Sequence, residues 1–199
     1  MSDTTGMSVT RGLSEAAAAN AAAAMSETLD GRGLRIGIAA ARFNAEVVER
    51  LVETARDELL RLGVRLEDIL LVRVPGAFEL PIAARALLRS ATPPDAVICL
   101  GAIIQGETRH FDFVAGAAAT GALQVGLETG RPVIFGVLTT DTMVQALDRA
   151  DGRYRRGADA ARDAVEMARL LAAPDLAPGQ TAVPGTVRPT DRPVTGNRR

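Results

Sequence analysis

A doubly wound α/β fold is predicted by three observations. Four short apolar runs (residues 34–41, 69–74, 96–104 and 132–140) have the length and β-branched content of buried strands. Stretches with helical apolar spacing lie between them. Each strand-to-helix junction is a short polar or glycine-containing break, and this β-α alternation is the signature of a parallel sheet covered by helices.

The first run, LRIGIAAA at 34–41, has no polar side chain beyond its second residue, so it reads as buried on both faces. Arg42-Phe43-Asn44 breaks it. Apolar residues then recur at Val47, Val48, Leu51, Val52, Ala55, Leu59 and Leu62, predicting a helix over 46–62 that stops at Gly63. ILLVRV at 69–74 is the second strand. The break PGAFE follows, and a helix runs from Pro81, tolerated in a first turn, to Arg89. Pro93-Pro94 turns the chain into the third strand at 96–104. A helix over 110–129 is rich in alanine and glycine, which permits close packing. The fourth strand, 132–140, leads to Asp141-Thr142, a capping pair for a helix over 143–148. A polar turn at 152–155 precedes the last helix, 158–171. The order β-α-β-α-β-α-β-α-α corresponds to a flavodoxin-like, doubly wound four-stranded parallel sheet with helices on both faces.

This domain is expected over residues 32–173. Residues 1–31, with alanine runs at 16–19 and 21–24, are expected to be a flexible arm, since alanine alone offers no large group to anchor a helix. Residues 174–199 hold five prolines and no large apolar cluster, and are expected to be a disordered tail.

The net charge of −1 gives no electrostatic reason to expect nucleic acid or an anionic membrane as partner. All 23 basic residues are arginine. One histidine and one cysteine cannot build a zinc site, so no metal is expected. Neither GxGxxG nor GxxxxGK[ST] occurs, so no nucleotide cofactor is expected. Cys99 lies in an apolar run without a disulfide partner, no apolar run spans a membrane, and no basic-then-apolar leader is visible. A cytoplasmic protein is expected.

Ligands of an open parallel sheet sit past the carboxyl ends of its strands. Four such ends are readable, and they are expected to converge: Arg42, Phe43 and Asn44; Gly76, Ala77, Phe78 and Glu79; Gly106, Glu107, Thr108 and His110; Thr139, Thr140 and Asp141. Phe43 can stack on a flat heterocycle or fold back as a core plug. Glu79 can meet a ligand or complement a helix dipole. Gly106-Glu107-Thr108 offers backbone N–H groups suited to phosphate, or a plain helix cap. His110, the lone histidine, can shuttle protons near neutral pH or be structural. Arg149 and Arg156 can hold an anion or be solvated charge. No single residue decides between these readings.

Together the stretches ARFN (41–44), VRVPGAFELP (72–81), GAIIQGETRHFDFV (101–114), FGVLTTDTMVQALDRA (135–150) and the end RRGADAA/AVEMARLL (155–171) resemble the lumazine synthase family. The resemblance covers about 140 residues, 33–172. It implies a cofactor-free condensation in riboflavin biosynthesis. 5-Amino-6-(D-ribitylamino)uracil and 3,4-dihydroxy-2-butanone 4-phosphate give 6,7-dimethyl-8-ribityllumazine, phosphate and water. By resemblance, Phe43 stacks on the pyrimidine, and Ala77, Phe78 and Glu79 hold the ribityl chain. Ala102, Ile103 and Ile104 present backbone to the pyrimidine. Glu107 and Thr108 cradle the phosphate, Arg149 pairs with it, and His110 is the acid/base. Phe135 is a pocket residue given by a neighbouring subunit. Arg156 and Asp159 stand where the family usually has lysine and glutamate, and Gln105 where it usually has arginine or lysine. The turn before Arg156 is about one residue short. The implied assembly is a homopentamer or a sixty-subunit icosahedral shell of pentamers, with riboflavin synthase a further partner. The competing readings are an assembling paralogue with weak catalysis and a flavin- or lumazine-binding module.

Overall fold

The computed structural model describes residues 29–173; the expectations for 1–28 and 174–199 lie outside the described residues. Four strands, β1 (Ile36–Ala41), β2 (Ile69–Val74), β3 (Ala96–Ile104) and β4 (Val133–Thr140), form one all-parallel sheet in the order β2-β1-β3-β4. Five helices connect or flank them: α1 (Ala45–Arg61), α2 (Leu80–Leu88), α3 (His110–Thr129), α4 (Met143–Ala150) and α5 (Arg156–Ala172). The predicted class and order are those observed.

The period-two alternation of β3 builds two cores. Ile98, Leu100 and Ala102 face α1, α4 and α5, together with Leu51, Leu59, Ala161 and Val165. Val97, Cys99 and Ile103 face α2 and α3, together with Leu80, Ala84, Ala118 and Val125. The whole of β1 is buried, as a central strand covered on both faces must be. Strands β2 and β4 are the sheet edges, and each leaves some side chains exposed, Leu71 and Phe135 among them.

Several boundaries differ from the sequence reading. Strand β1 starts at Ile36 and β4 at Val133, each inside its apolar run. Helix α2 is preceded by a 3-10 turn at Ala77–Glu79, and a second one lies at Leu66–Asp68. Helix α4 extends to Ala150. Helix α5 starts at Arg156, not at 158, so Gly157 lies inside the helix. The cause is a close crossing with α1: a Cβ at residue 157 would overlap the Leu51 carbonyl oxygen and Thr54 Oγ1, so only glycine fits there. The turn ends at Arg155, whose φ of 45° is left-handed.

Residues 29–31 are tied to this domain. Leu29 packs on the first core, and the Gly31 N–H donates to the Leu62 carbonyl at 2.7 Å.

Candidate active site

The loop after β1 is an extension of the sheet. The N–H of Arg42 donates to Val74 O at 2.8 Å and that of Phe43 to Pro75 O at 3.1 Å, continuing the ladder past the strand. Asn44 then turns the chain into α1 with φ 55°, a conformation asparagine tolerates better than most residues. Its Nδ2 donates to the Ala102 carbonyl at 2.9 Å, joining this loop to the end of β3. Held this way, Phe43 keeps 70% of its surface exposed, so it is no core plug.

After β2, Gly76 enters the 3-10 turn. The Glu79 carboxylate folds back and its Oε2 accepts from the Gly76 N–H at 2.9 Å. Glu79 thus caps the turn, and Phe78 is left 56% exposed. After β3, the Gln105 N–H reaches Thr140 O at 2.9 Å while its side chain is exposed. Residues 106–109 form an exposed loop, and α3 opens at His110, whose N–H lies 3.4 Å from Thr108 Oγ1. The Asp112 N–H donates to the Arg109 carbonyl at 3.1 Å, and a helix start leaves the other first-turn N–H groups of α3 without intrahelical acceptors, within reach of an anion.

These three strand ends enclose a cleft of about 680 Å³. Phe43, Ala77, Phe78, Glu79, Ala102, Ile103, Ile104, Gly106, Thr108 and His110 all line it, with Phe111, Phe113 and Val114 from α3. The lining is mostly apolar and aromatic with a few polar groups, a composition suited to a flat heterocycle with polar substituents. Glu107 is exposed on the loop and does not line the cleft.

The fourth strand end does not join the other three. Phe135, Arg149, Arg156 and Asp159 line a separate hollow of about 300 Å³, with Thr139 and Asp163. No lining residue is shared between the two cavities. The hollow runs along β4 (residues 134–139) beside α4 and α5, which pack on one face of the sheet, whereas the cleft is built past the ends of β1, β2 and β3 beside α3, which packs on the other face.

Charge in the second hollow is organised by Asp159. Its carboxylate receives Arg156 at 3.2 Å and Arg162 on its other oxygen. Arg162 also reaches Glu58 at 2.7 Å, and Arg61 binds Glu58 at 2.8 Å. Hydrogen bonds from Arg61, then from Arg162, hold the Glu58 carboxyl below the usual carboxylate range against the opposing effect of burial. Burial raises Asp163, with Asp159 and Glu166 adding repulsion. Arg149 Nη1 donates to Gln145 O at 3.1 Å.

Sequence reading passed over Asn44 as a clamp and Phe111, Phe113 and Val114 as lining. HFDF at the start of a helix was a usable signal, since aromatics one turn from a strand end must face either core or site. Among the described residues, no group of three or more His, Cys, Asp or Glu could hold a metal ion. None of the described helices is long and apolar enough to cross a membrane.

The geometry therefore offers an aromatic cleft beside a helix N-terminus and a histidine, and an arginine-bearing hollow elsewhere on the subunit. A model of the family described as 6,7-dimethyl-8-ribityllumazine synthase matches residues 33–172. The 6,7-dimethyl-8-ribityllumazine synthase of Aquifex aeolicus is 48% identical over 144 residues, which cover 72% of this chain and 93% of that protein. With the motif-bearing strand ends gathered as described and this match spanning nearly the whole sheet domain, the chain belongs to the 6,7-dimethyl-8-ribityllumazine synthase family.

Proposed function

We propose that the enzyme performs the family's condensation at a site made of both cavities, one from each of two neighbouring copies. It is a transferase of riboflavin biosynthesis, forming 6,7-dimethyl-8-ribityllumazine from 5-amino-6-(D-ribitylamino)uracil and 3,4-dihydroxy-2-butanone 4-phosphate, with loss of phosphate and water. The observation that carries the residue assignment is the cleft into which three separate strand ends place Phe43, Phe78 and His110.

In this reading the exposed Phe43 ring stacks on the pyrimidine, whose edge meets the backbone of Ala102, Ile103 and Ile104. Ala77, Phe78 and Glu79 flank the ribityl chain. The first-turn N–H groups of α3, with Thr108 and Glu107, take the phosphate. Amine attack on the ketone needs proton transfers near neutral pH, and His110 lies beside both subsites to supply them. Departure of phosphate needs its charge held, and guanidinium suits that task. Holding two substrates together contributes much of the remaining rate.

Phe135, Arg149, Arg156 and Asp159 line the other hollow, so in this reading a neighbouring copy brings them to the cleft. Exposed apolar surface supports such an assembly. On α3, Phe113, Leu123 and Leu127 are 75%, 65% and 77% exposed, and α2 adds Ile82 at 68%. Large apolar groups left this exposed are what an interaction surface would cover. A homopentamer, or a sixty-subunit shell of pentamers, is the proposed form. A cytoplasmic setting rests on the lone, unpaired Cys99, which suits a reducing compartment, and an association with riboflavin synthase on family membership alone. Neither competing reading gains support from the fold.

The test is to mix the purified full chain with both substrates while sizing it by light scattering. Lumazine fluorescence rising above the uncatalysed rate, from particles of five subunits or a multiple, is expected. Absence of turnover would overturn the catalytic reading, and full activity in a monomer would overturn the shared site.

A further inference from the structure

The turn at 151–155 carries the only tyrosine of the chain, and three guanidinium groups gather on its ring. Arg149, Arg153 and Arg156 lie 5.5, 5.6 and 5.4 Å from the Tyr154 ring centroid. Three like charges repel one another, and long arginine side chains have many rotamers to escape into. The negative face of an aromatic ring offsets that repulsion. The backbone fixes where the ring stands. Tyr154 N–H donates to Asp148 O at 3.4 Å, and Arg153 N–H donates to Asp148 Oδ1 at 3.2 Å. Gly152 packs so closely that a Cβ would come within 2.8 Å of Asp148 O.

The cluster is short of negative charge. Arg156 pairs with Asp159, but among the described residues neither Arg149 nor Arg153 has a carboxylate partner. Two of its members, Arg149 and Arg156, line the hollow beside Phe135. They come from different helices, the end of α4 and the start of α5, and the tyrosine lies between them in sequence with its ring 5.5 and 5.4 Å from the two guanidinium groups.

We propose that Tyr154 is a positioning residue whose ring sets Arg149 and Arg156 side by side as a preorganised pair for the phosphate of the four-carbon substrate. The inference rests on the assignment of Arg149 to phosphate made above. The ring face does the work; the hydroxyl is dispensable.

Steady-state kinetics of Tyr154→Leu, Tyr154→Phe and Arg149→Ala in the assembled full chain test this, with inorganic phosphate as competing probe. Tyr154→Leu is expected to raise the KM for the butanone phosphate and the Ki of inorganic phosphate about five- to tenfold, the loss of two exposed cation–π contacts. The KM for the pyrimidine stays within about twofold, and Tyr154→Phe restores phosphate affinity to within about twofold, because the phenyl face retains the attraction. Particle size and melting temperature are expected to match the parent protein. An unchanged phosphate Ki in Tyr154→Leu overturns the proposal, as does a Phe variant no better than Leu, or an equal rise in both KM values. Arg149→Ala separates the two levels. If it leaves phosphate inhibition unchanged, the phosphate assignment itself fails. If it abolishes that inhibition while Tyr154→Leu does not, only the role of Tyr154 fails.

Discussion

Asn44 Nδ2 donates to the Ala102 carbonyl oxygen at 2.9 Å, so one side chain locks the loop after β1 to the end of β3. These are the two backbone segments between which a flat ring would sit, under Phe43 on one side and against residues 102–104 on the other. The clamp fixes the width of the slot. Asn44→Ala removes the bond and places alanine at φ 55°, which together are expected to cost about 1–3 kcal/mol of stability. The pyrimidine KM should rise more than that of the four-carbon substrate. Urea unfolding and two-substrate kinetics measure the two effects.

His110 is exposed at the first residue of α3, and its ring has no hydrogen-bond partner among the described residues. Its loss therefore leaves no unsatisfied group behind. His110→Ala is expected to slow turnover by about a hundredfold, the lower range for losing general acid–base catalysis, with unchanged melting temperature and particle size. Stopped-flow fluorescence and light scattering on the same sample check this. A variant that no longer assembles would make His110 structural instead.

Glu58 joins α1 to α5 through Arg162, with Arg61 as its second partner. These partners depress its folded-state pKa below the ordinary 4.5. The stabilisation is therefore complete above that value and lost as pH falls through the lower folded-state value. Glu58→Gln is expected to cost about 1–3 kcal/mol near neutral pH, as for a hydrogen-bonded charge. The difference from the parent should close as pH falls through the lowered folded-state value, because the parent carboxylate is then protonated too. Urea midpoints across this range show the convergence.

Gly157 lies where α5 crosses α1, and the atoms that a Cβ would strike include the Leu51 backbone carbonyl. Backbone cannot swing aside as a flexible side chain does. Gly157→Ala is expected to destabilise by about 3 kcal/mol, the upper end for overpacking. Helix α5 must move to relieve the clash, and Arg156 at its start moves with it. Phosphate inhibition should weaken in proportion, which calorimetry and inhibition kinetics would register together.

Much of the fold was legible because both faces of the sheet are buried. The runs 69–74 and 96–104 coincide with β2 and β3, and 110–129 with α3. The 3-10 turn at Leu66–Asp68 is too short to show a period, and its Leu66 is exposed. At Gly157 the sequence carries a breaker, yet tertiary contact with α1 made glycine the only residue able to remain helical there. At the site, the rule of strand ends named most of the cleft. It overreached at β4, whose Thr139, Thr140 and Asp141 do not line the cleft, because the cleft takes its remaining wall from α3. Glu79 shows a second limit: its bond to the Gly76 N–H is a local cap, and the same residue also lines the cleft. Gln105, which departs from the usual family residue, has an exposed side chain that lines neither cavity.

The separation of the two cavities has a genetic consequence. Since they share no lining residue, a chain damaged at Arg149 keeps its own cleft whole and, on the proposed arrangement, spoils the site of its neighbour. A chain damaged at His110 does the reverse. Co-expressed, two such defective alleles complement each other, because a mixed ring contains junctions where an intact cleft meets an intact arginine hollow.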